Sequence, residues 1–398
     1  MNFKKDFPIF TNNPDLVFFD STSTTQKPDK VINWVKKYLE HDYSNIHRWL
    51  YDIAINSEKL YKKSKEIVAK HIWVEDIKEI IYTYNSTYAS NLLTSSLKKS
   101  NFLKAGDKIL VSIVEHHANL VPWLILKEEI WVEVEFIWVN ENYDLDLDDF
   151  DEKYDDKVKI IAITHVSNVT GQVFNLSEIG KRKREDTIFV VDASQSVPHM
   201  KVDVKRLNCD ALFFTGHKVM ALSWIWVLWW KKDLLNELTP SFSGGWAIWE
   251  VTCNKYTNAW LPDKFEPGTP NVVWAVSLLK AFEYIDEIGG FEKIEEIEEE
   301  LVEYFLDKLK NFENIELIWS YNKKNRVWVF SIIINNYHSD DIAEILADKW
   351  IAVRSGKHCA HPLFAKSWYA NSIRVSLYIY NTKKDIDKFF EVISNLKK

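Results

Sequence analysis

Short apolar runs alternate with amphipathic segments along most of the chain. The runs have the length and β-rich composition of buried strands, and the segments between them carry apolar residues at helical spacing. Strands are predicted at 16–19, 79–83, 108–112, 159–164, 187–191, 211–214, 223–230, 327–334 and 372–377, and helices at 28–40, 57–71, 292–312, 339–349 and 383–396. The pattern predicts an α/β protein.

Two of these runs end in polar residues that have the chemistry of a cofactor site. The run 187–191 stops at Asp192, with Gln195 close behind, and the run 211–214 stops at a Thr-Gly-His-Lys sequence that ends at Lys218. Ligands of open α/β sheets bind at the carboxyl edge of the strands, so we expect these polar side chains to face one crevice. A lysine that can bind an aldehyde, beside an acid that keeps a pyridine nitrogen protonated, is what pyridoxal phosphate requires. Taken by itself, an aspartate and a lysine are more often a surface pair.

A second polar loop, 351–362, surrounds a cysteine with basic side chains. Cys359 lies in the sequence Arg-Ser-Gly-Lys-His-Cys-Ala-His-Pro, which begins at Arg354. Glycine and proline indicate a loop, and neighbouring cations favour the thiolate form of a cysteine. We expect Cys359 to be a reactive nucleophile, and Cys209 and Cys253 to be buried and inert.

Composition excludes several classes of function. The chain has 398 residues and no apolar run of transmembrane length, which predicts a large core and two domains. The net charge is −8 with both signs interspersed, so no basic stripe indicates nucleic acid binding. The first residues lack the apolar region of a signal peptide, which favours a cytoplasmic protein. No Cys-x-x-Cys pair occurs, and the adjacent His116 and His117 lack a third ligand, so we expect no metal site.

Five segments carry a resemblance to a known family. They are Val-Asp-Ala-Ser-Gln at 191–195, Val-Pro-His at 197–199, Val-Asp-Val at 202–204, Thr-Gly-His-Lys at 215–218 and the loop at 354–360, which follows the pattern Arg-x-Gly-x-His-Cys-Ala. The chain resembles the class V aminotransferase family and, more narrowly, its SufS/Csd-like group II cysteine desulfurases. The resemblance implies fold type I of the pyridoxal-phosphate-dependent transferases: a mainly parallel seven-stranded sheet in a large domain, 17–284, and a smaller α/β domain formed by 1–16 and 285–398, which carries the cysteine loop.

The same resemblance implies a role for each candidate residue. Lys218, Cys359 and His116 are the implied catalytic residues. The implied cofactor contacts are Lys218, Asp192, Gln195, His116, Ser86, Thr87, Asn168, Thr215, His217 and Thr269, and the implied substrate contacts are Arg374, Asn168, Arg354 and His47.

Other interpretations of these residues stay open at the level of sequence. Ser86 or Thr87 could simply cap a helix. Likewise, His47 could be a surface loop residue, Asn168 a turn residue before a glycine, and Arg374 half of an ion pair between domains. The segment around Ser86 also departs from the family pattern, since Asn85 stands at a usual glycine and Tyr88 at a usual acidic residue.

The resemblance implies conversion of L-cysteine to L-alanine with pyridoxal 5′-phosphate as cofactor. A persulfide would form on Cys359 and pass to a SufE- or SufU-like sulfur-acceptor protein for iron–sulfur cluster assembly. The implied assembly is a homodimer in which Thr269 reaches the cofactor phosphate across the interface. The alternatives are a selenocysteine lyase or cysteine sulfinate desulfinase of the same family, and a non-catalytic dimer that binds partners.

Tryptophan and glycine occur in unusual numbers. The chain has 18 tryptophans and only 10 glycines, whereas glycine makes up about 7% of an average protein. Tryptophans stand at family glycine positions at 49, 73, 131, 224, 226, 230, 246, 274, 319, 328, 350 and 368, whereas Trp123 matches a family tryptophan. We hypothesise that the twelve are glycines in the living protein, because some bacterial lineages read UGA as glycine. The alternative is a protein unusually rich in tryptophan.

Overall fold

The computed structural model describes residues 3–47, 50–319, 325–367 and 369–396. The strands are β1 (Val17–Phe18), β2 (Ile80–Thr83), β3 (Lys108–Ser112), β4 (Glu133–Ile137), β5 (Val158–Thr164), β6 (Ile188–Asp192), β7 (Ala211–Thr215), β8 (Trp226–Trp230), β9 (Ile248–Val251), β10 (Tyr256–Asn258), β11 (Ile315–Leu317), β12 (Val329–Ile334), β13 (Ile351–Ala352), β14 (Arg354–Gly356) and β15 (Ser372–Ser376). The α-helices are α1 (Pro8–Asn12), α2 (Asp29–His41), α3 (Asp52–His71), α4 (Ser86–Lys99), α5 (His117–Ile130), α6 (Leu147–Lys153), α7 (Leu176–Arg182), α8 (Val204–Leu207), α9 (Lys232–Glu237), α10 (Val272–Glu287), α11 (Gly290–Leu309), α12 (Ser339–Asp348), α13 (His361–Ser367) and α14 (Lys383–Ser394).

A seven-stranded sheet with the order β2-β8-β7-β6-β5-β3-β4 forms the centre of the fold. The strands from β7 to β4 run parallel, and β8 runs antiparallel to both of its neighbours. Every residue of β3, β6 and β7 is buried, as expected for parallel strands that are covered on both faces. This confirms the predicted α/β fold with a mainly parallel seven-stranded sheet.

A smaller antiparallel sheet, with the order β11-β12-β15-β14, lies in the C-terminal part of the chain. The short parallel pair of β1 and β13 joins the N-terminal segment to this part, with Val17 opposite Ile351. Phe7 also packs against Tyr380, with ring centroids 4.9 Å apart. These contacts are compatible with the predicted grouping of residues 1–16 with 285–398. The division into two domains stays a prediction. Across the described residues, no helix combines the length and apolar composition needed to cross a membrane.

Six tryptophans adopt a left-handed backbone conformation that large side chains rarely occupy. They are Trp73, Trp131, Trp224, Trp246, Trp319 and Trp350, with φ between 58° and 79°. All six belong to the ten described positions where we hypothesise glycine. None of the six tryptophans outside the hypothesis has positive φ. Glycine enters this region at no steric cost, whereas a bulky residue there is an outlier. The backbone therefore supports the glycine hypothesis at these six positions, and Trp49 and Trp368 lie outside the described residues.

Candidate active site

The carboxyl edge of the central sheet bears a polar cavity of about 210 Å³. Strands β6 and β7 are parallel neighbours, so the residues that follow them meet at this edge. The predicted site residues that line the cavity are Ser86, Thr87, His116, Asn168, Asp192, Gln195, Thr215, His217, Lys218, Arg354 and Arg374. The structure thus brings together eleven of the fourteen residues named from the sequence.

Burial sets the electrostatics of the lysine and the aspartate. It lowers the pKa of Lys218 to about 8, and the charge of Asp192 counteracts part of this shift. Burial also raises the pKa of Asp192, although this carboxylate accepts a hydrogen bond from the N–H of Ser194 at 2.9 Å. A buried lysine that loses its proton near neutral pH is a good nucleophile for an aldehyde.

His116 faces the cavity as a neutral ring. Burial, reinforced by the charge of Lys218, lowers the pKa of His116 to about 3. Its Nδ1 accepts a hydrogen bond from the N–H of Ala118 at 3.1 Å, which leaves the proton on Nε2. The ring can therefore stack on a flat ligand without adding a positive charge.

The first turn of α4 faces the cavity. Asn85, and not Ser86 or Thr87, caps this helix: its side chain accepts from the N–H of Tyr88 at 2.6 Å. The capping alternative for Ser86 and Thr87 is therefore wrong, and both residues line the cavity instead. A helix N-terminus with free N–H groups favours a phosphate.

Three buried oxygen atoms of residues that line the cavity lack a hydrogen-bond partner among the described residues. They are Oγ1 of Thr22, Oε1 of Gln195 and Oγ1 of Thr215. Buried polar atoms without partners are rare and need an explanation. A ligand rich in oxygen and nitrogen, held by Lys218 and Asp192 with its phosphate at α4, would satisfy them, so these residues fit pyridoxal phosphate.

A polar turn at residues 20–27, here called the N-terminal polar turn, fixes the backbone beside Lys218. The carbonyl of His217 accepts hydrogen bonds from the N–H of Thr25 at 3.1 Å, from its hydroxyl at 3.0 Å and from Nζ of Lys27 at 3.1 Å. Burial lowers the pKa of Lys27 to about 7. These hydrogen bonds fix the backbone position from which the side chain of Lys218 extends.

Two arginines lie side by side on the smaller sheet. Arg354 on β14 is the direct cross-strand partner of Arg374 on β15. Arg374 is 2% exposed, and its Nη1 donates to the carbonyl of Asn168 at 3.2 Å. Its Nη2 donates to Asp20 at 3.1 Å, so the ion pair considered as an alternative also exists. A buried guanidinium that faces a cavity can bind a carboxylate in bidentate fashion.

The cysteine loop, residues 354–362, borders the cavity through Arg354 and His358. His358 and Cys359 are consecutive residues with φ of 52° and 57°, a strained conformation that functional sites often hold. The loop is held by hydrogen bonds from Asn168 Nδ2 to the carbonyl of His358, 2.8 Å, and from the N–H of His117 to the carbonyl of Cys359, 2.8 Å. The Sγ atom of Cys359 lies 3.9 Å from Nη2 of Arg354.

Comparison with known proteins explains this constellation. The family description Aminotransferase class-V matches residues 17–389. The chain belongs to the class V aminotransferase family. Proteins named probable cysteine desulfurase from Synechocystis sp. and Staphylococcus aureus are each 36% identical to it, over 98% and 99% of this chain and 93% and 95% of their own lengths.

Solved structures agree with this family. A cysteine desulfurase from Thermococcus onnurineus, solved in its apo form, matches with a TM-score of 0.94 at 34% identity, covering 99% of this chain and 96% of its own. The cysteine desulfurase CsdA of Escherichia coli matches with a TM-score of 0.91 at 29% identity, covering 98% and 96%. Members of this family use pyridoxal phosphate, and the cofactor of this protein is accordingly pyridoxal 5′-phosphate.

The remaining three predicted residues lie outside the lining of the described cavity. Cys359 directly follows His358, which lines it. Thr269 lines a neighbouring cavity together with Trp224. His47 lies against Trp246, with ring centroids 4.8 Å apart, and its neighbours 48 and 49 lie outside the described residues.

One cysteine prediction is wrong. Cys209 is buried, and burial raises its pKa, in line with the expected inert thiol. Cys253, in contrast, is exposed, because it lies in the turn between β9 and β10, a hairpin on the protein surface.

Some residues of the candidate site were not predicted from the sequence. Thr22 and Ser23 of the N-terminal polar turn line the cavity, as do Thr164 and Ser194. The available signal was a polar run directly after a short strand, the same signal that identified Asp192. This signal is weak, because serines and threonines in a turn are usually structural.

Proposed function

We propose that this protein is a cysteine desulfurase that converts L-cysteine to L-alanine and receives the sulfur atom on Cys359. One observation carries the proposal: Lys218, Arg374 and Arg354 line one cavity, and the sulfur of Cys359 lies 3.9 Å from Nη2 of Arg354. The relatives named cysteine desulfurase, which span nearly the whole chain, support the same activity.

Each side chain contributes a defined step in this reaction. Bound pyridoxal phosphate supplies an electron sink for the charge that develops at the substrate Cα. Lys218 would hold the cofactor covalently, and its amine would move the proton at the substrate Cα. Asp192 would hold the pyridine nitrogen, and Arg374 would bind the substrate carboxylate. The helix α4, with Ser86 and Thr87, would bind the phosphate, and His116 would stack on the ring.

The sulfur moves to the protein by nucleophilic attack. The Cys359 thiolate attacks the sulfur of bound cysteine, the bond between this sulfur and Cβ breaks, and Cβ gains a proton. The products are alanine and a persulfide on Cys359: the sulfur atom exchanges its bond to Cβ for a bond to Sγ of Cys359. The electron pair of the broken bond stays on Cβ and takes up the proton, so no external oxidant is needed. Arg354 lies beside Cys359 and would balance the negative charge on its sulfur.

The persulfide sulfur then passes to an acceptor protein for iron–sulfur cluster assembly. A homodimer would give Thr269 and His47 a role, because both lie outside the cavity of their own chain in the described structure. The three free cysteines fit a reducing, cytoplasmic environment.

Substrate comparison tests the proposal and separates it from its relatives. Wild type, Lys218→Ala and Cys359→Ala are assayed for alanine release from cysteine, selenocysteine and cysteine sulfinate. We expect Lys218→Ala to be inactive with all three. We expect Cys359→Ala to lose cysteine turnover by about a hundredfold or more, since this residue is the nucleophile, while it keeps most turnover of the other two.

The exposed Cys253 provides the control, since Cys253→Ala should match wild type. Equal cysteine turnover by wild type and Cys359→Ala would favour a selenocysteine lyase or a sulfinate desulfinase. A folded wild type that binds no cofactor would favour the non-catalytic dimer.

A further inference from the structure

A serine of the N-terminal polar turn lies between the two arginines of the site. The hydroxyl of Ser23 donates to Oδ1 of Asp20 at 2.7 Å. The Oγ atom of Ser23 also accepts hydrogen bonds from Nη2 of Arg374 at 2.7 Å and from Nη1 of Arg354 at 3.2 Å. A hydroxyl has one proton and two lone pairs, so all of its capacity is committed here. One small side chain therefore joins both guanidinium groups to one carboxylate.

The strand register makes this bridge necessary. Arg354 and Arg374 are direct partners across β14 and β15, and like charges directly opposite each other destabilise a sheet. Asp20 supplies the compensating negative charge, and Arg374 Nη2 also contacts it directly at 3.1 Å. Without Ser23, the described contacts would leave Arg354 no link to this carboxylate.

The two arginines have different surroundings and different proposed tasks. Arg374 is buried and held by the carbonyl of Asn168, and its Nε lacks a partner among the described residues. Arg354 is exposed, and its other nitrogen, Nη2, reaches the sulfur of Cys359. The Ser23 hydroxyl thus connects the group proposed to bind the substrate carboxylate with the cation beside the proposed nucleophile.

We propose that Ser23 is a positioning residue that keeps Arg354 beside Cys359 and in register with Arg374. The proposal rests on the proposed function and adds to it a link between substrate binding and sulfur transfer. An exposed arginine has several rotamers of similar energy, and a hydrogen bond that restricts it to one of them costs conformational entropy. The bond to Ser23 offsets this cost and restricts the guanidinium to the side of Cys359.

Two alkylating reagents of similar size measure this positioning without any turnover. Iodoacetate carries a carboxylate and iodoacetamide does not, so the ratio of their rates at Cys359 reports the positive charge held beside its sulfur. The full-length protein with its cofactor is used without cysteine, in a Cys253→Ser background that removes the exposed thiol. Peptide mass spectrometry follows the label on Cys359.

The variants differ in one hydroxyl group. We expect Ser23→Ala to lower the iodoacetate to iodoacetamide ratio about tenfold, the effect of one hydrogen bond to a charged group. Ser23→Thr keeps the hydroxyl and should retain the ratio, whereas Ser23→Val has the shape of threonine without the hydroxyl and should lower it. The kcat/KM for cysteine should follow the same order. Ser394→Ala, which removes a hydroxyl from the distant helix α14, is the control.

The outcomes separate this proposal from the proposed function. An unchanged ratio in the alanine and valine variants, or an equal fall in the threonine and valine variants, would overturn the role of Ser23. If the alanine variant fails to fold, the threonine and valine pair still decides. A ratio that depends on the hydroxyl in a protein that releases no alanine would uphold the role of Ser23 and reject the desulfurase activity.

Discussion

At the scale of single residues, burial determines the chemistry of the site. Lys218 and Asp192 could be named from the sequence, because each directly follows a predicted buried strand. Their surroundings could not, since the contacts come from distant parts of the chain: Ser23 meets Arg354 across 331 positions. A turn rich in serine and threonine carries no sequence signal for such a contact.

The tryptophans show the opposite case, in which the sequence as written conflicts with the backbone. A side chain at left-handed φ costs about 1–2 kcal/mol relative to glycine, and six tryptophans are in that conformation. Trp226 has an ordinary backbone, but its indole lines the polar cavity, 5.3 Å from the ring of His217, and its buried Nε1 has no partner among the described residues. Glycine at position 226 would remove this indole, with its unpartnered nitrogen, from the cavity.

Peptide mass spectrometry of the protein from its source tests the glycine hypothesis. We expect glycine masses at positions 224 and 226, because the first has left-handed φ and the second projects into the cavity. Trp123 is the matched control: it is fully buried with an ordinary backbone and should retain the indole mass. Indole masses at 224 and 226 would contradict the hypothesis.

At the scale of secondary-structure elements, most of the fold was accessible from the pattern of apolar residues. The predicted strand 108–112 matches β3 at both ends, and most other boundaries lie within a few residues. Among the predicted elements, the largest differences are at α3, which begins five residues earlier at Asp52, at β8, which begins only at Trp226, and at α11, which ends three residues earlier at Leu309. The helices α5 and α10 and the strand β4 had no predicted range. The left-handed φ of Trp224 interrupts the predicted strand before β8, and side-chain pattern does not reveal backbone conformation of this kind.

A buried glutamate holds three of these elements together. Glu115 accepts hydrogen bonds from the hydroxyl of Ser112 on β3, from Asn119 Nδ2 on α5 at 2.7 Å and from the N–H of Thr164 on β5 at 2.8 Å. Burial raises the pKa of Glu115 to about 8, against an ordinary value of 4.5. At a pH between these two values, the carboxyl group of Glu115 has lost its proton in the unfolded chain but keeps it in the folded protein. The contribution of Glu115 to the free energy of unfolding therefore falls as pH rises.

The variant Glu115→Gln should remove this pH dependence. We expect its thermal unfolding midpoint, relative to wild type, to rise between about pH 5 and about pH 8, because glutamine cannot ionise. Calorimetry at both pH values measures the effect. The exposed Glu141→Gln is the control and should follow wild type; a parallel course for Glu115→Gln would show that Glu115 titrates normally.

At the scale of the whole molecule, the described cavity of one chain contains most but not all of the predicted site residues. Eleven of the fourteen predicted site residues line one cavity, whereas Thr269 lies in a neighbouring one. The sequence named Thr269 only through the resemblance. A symmetric dimer uses the same patch on both chains, so each chain can complete the site of the other.

Mixing two inactive variants tests this shared site. Lys218→Ala lacks the cofactor lysine, and Thr269→Asp places a negative charge where phosphate is proposed to bind. If the sites are shared, one site of each mixed dimer has both native residues, and a random equimolar mixture recovers about a quarter of wild-type activity. No recovery after subunit exchange, verified with differently tagged chains, would place Thr269 within its own chain's site or outside any site.

The central claim is that Cys359 takes sulfur from cysteine, and the most direct test is the mass of its peptide. Full-length protein with its cofactor is incubated with L-cysteine and without an acceptor, and alanine is measured alongside. The account predicts that the Cys359 peptide gains the mass of one sulfur atom and that about one alanine forms per modified chain, with neither product in Lys218→Ala. Alanine release without added sulfur on Cys359, or added sulfur only on Cys253, would contradict it.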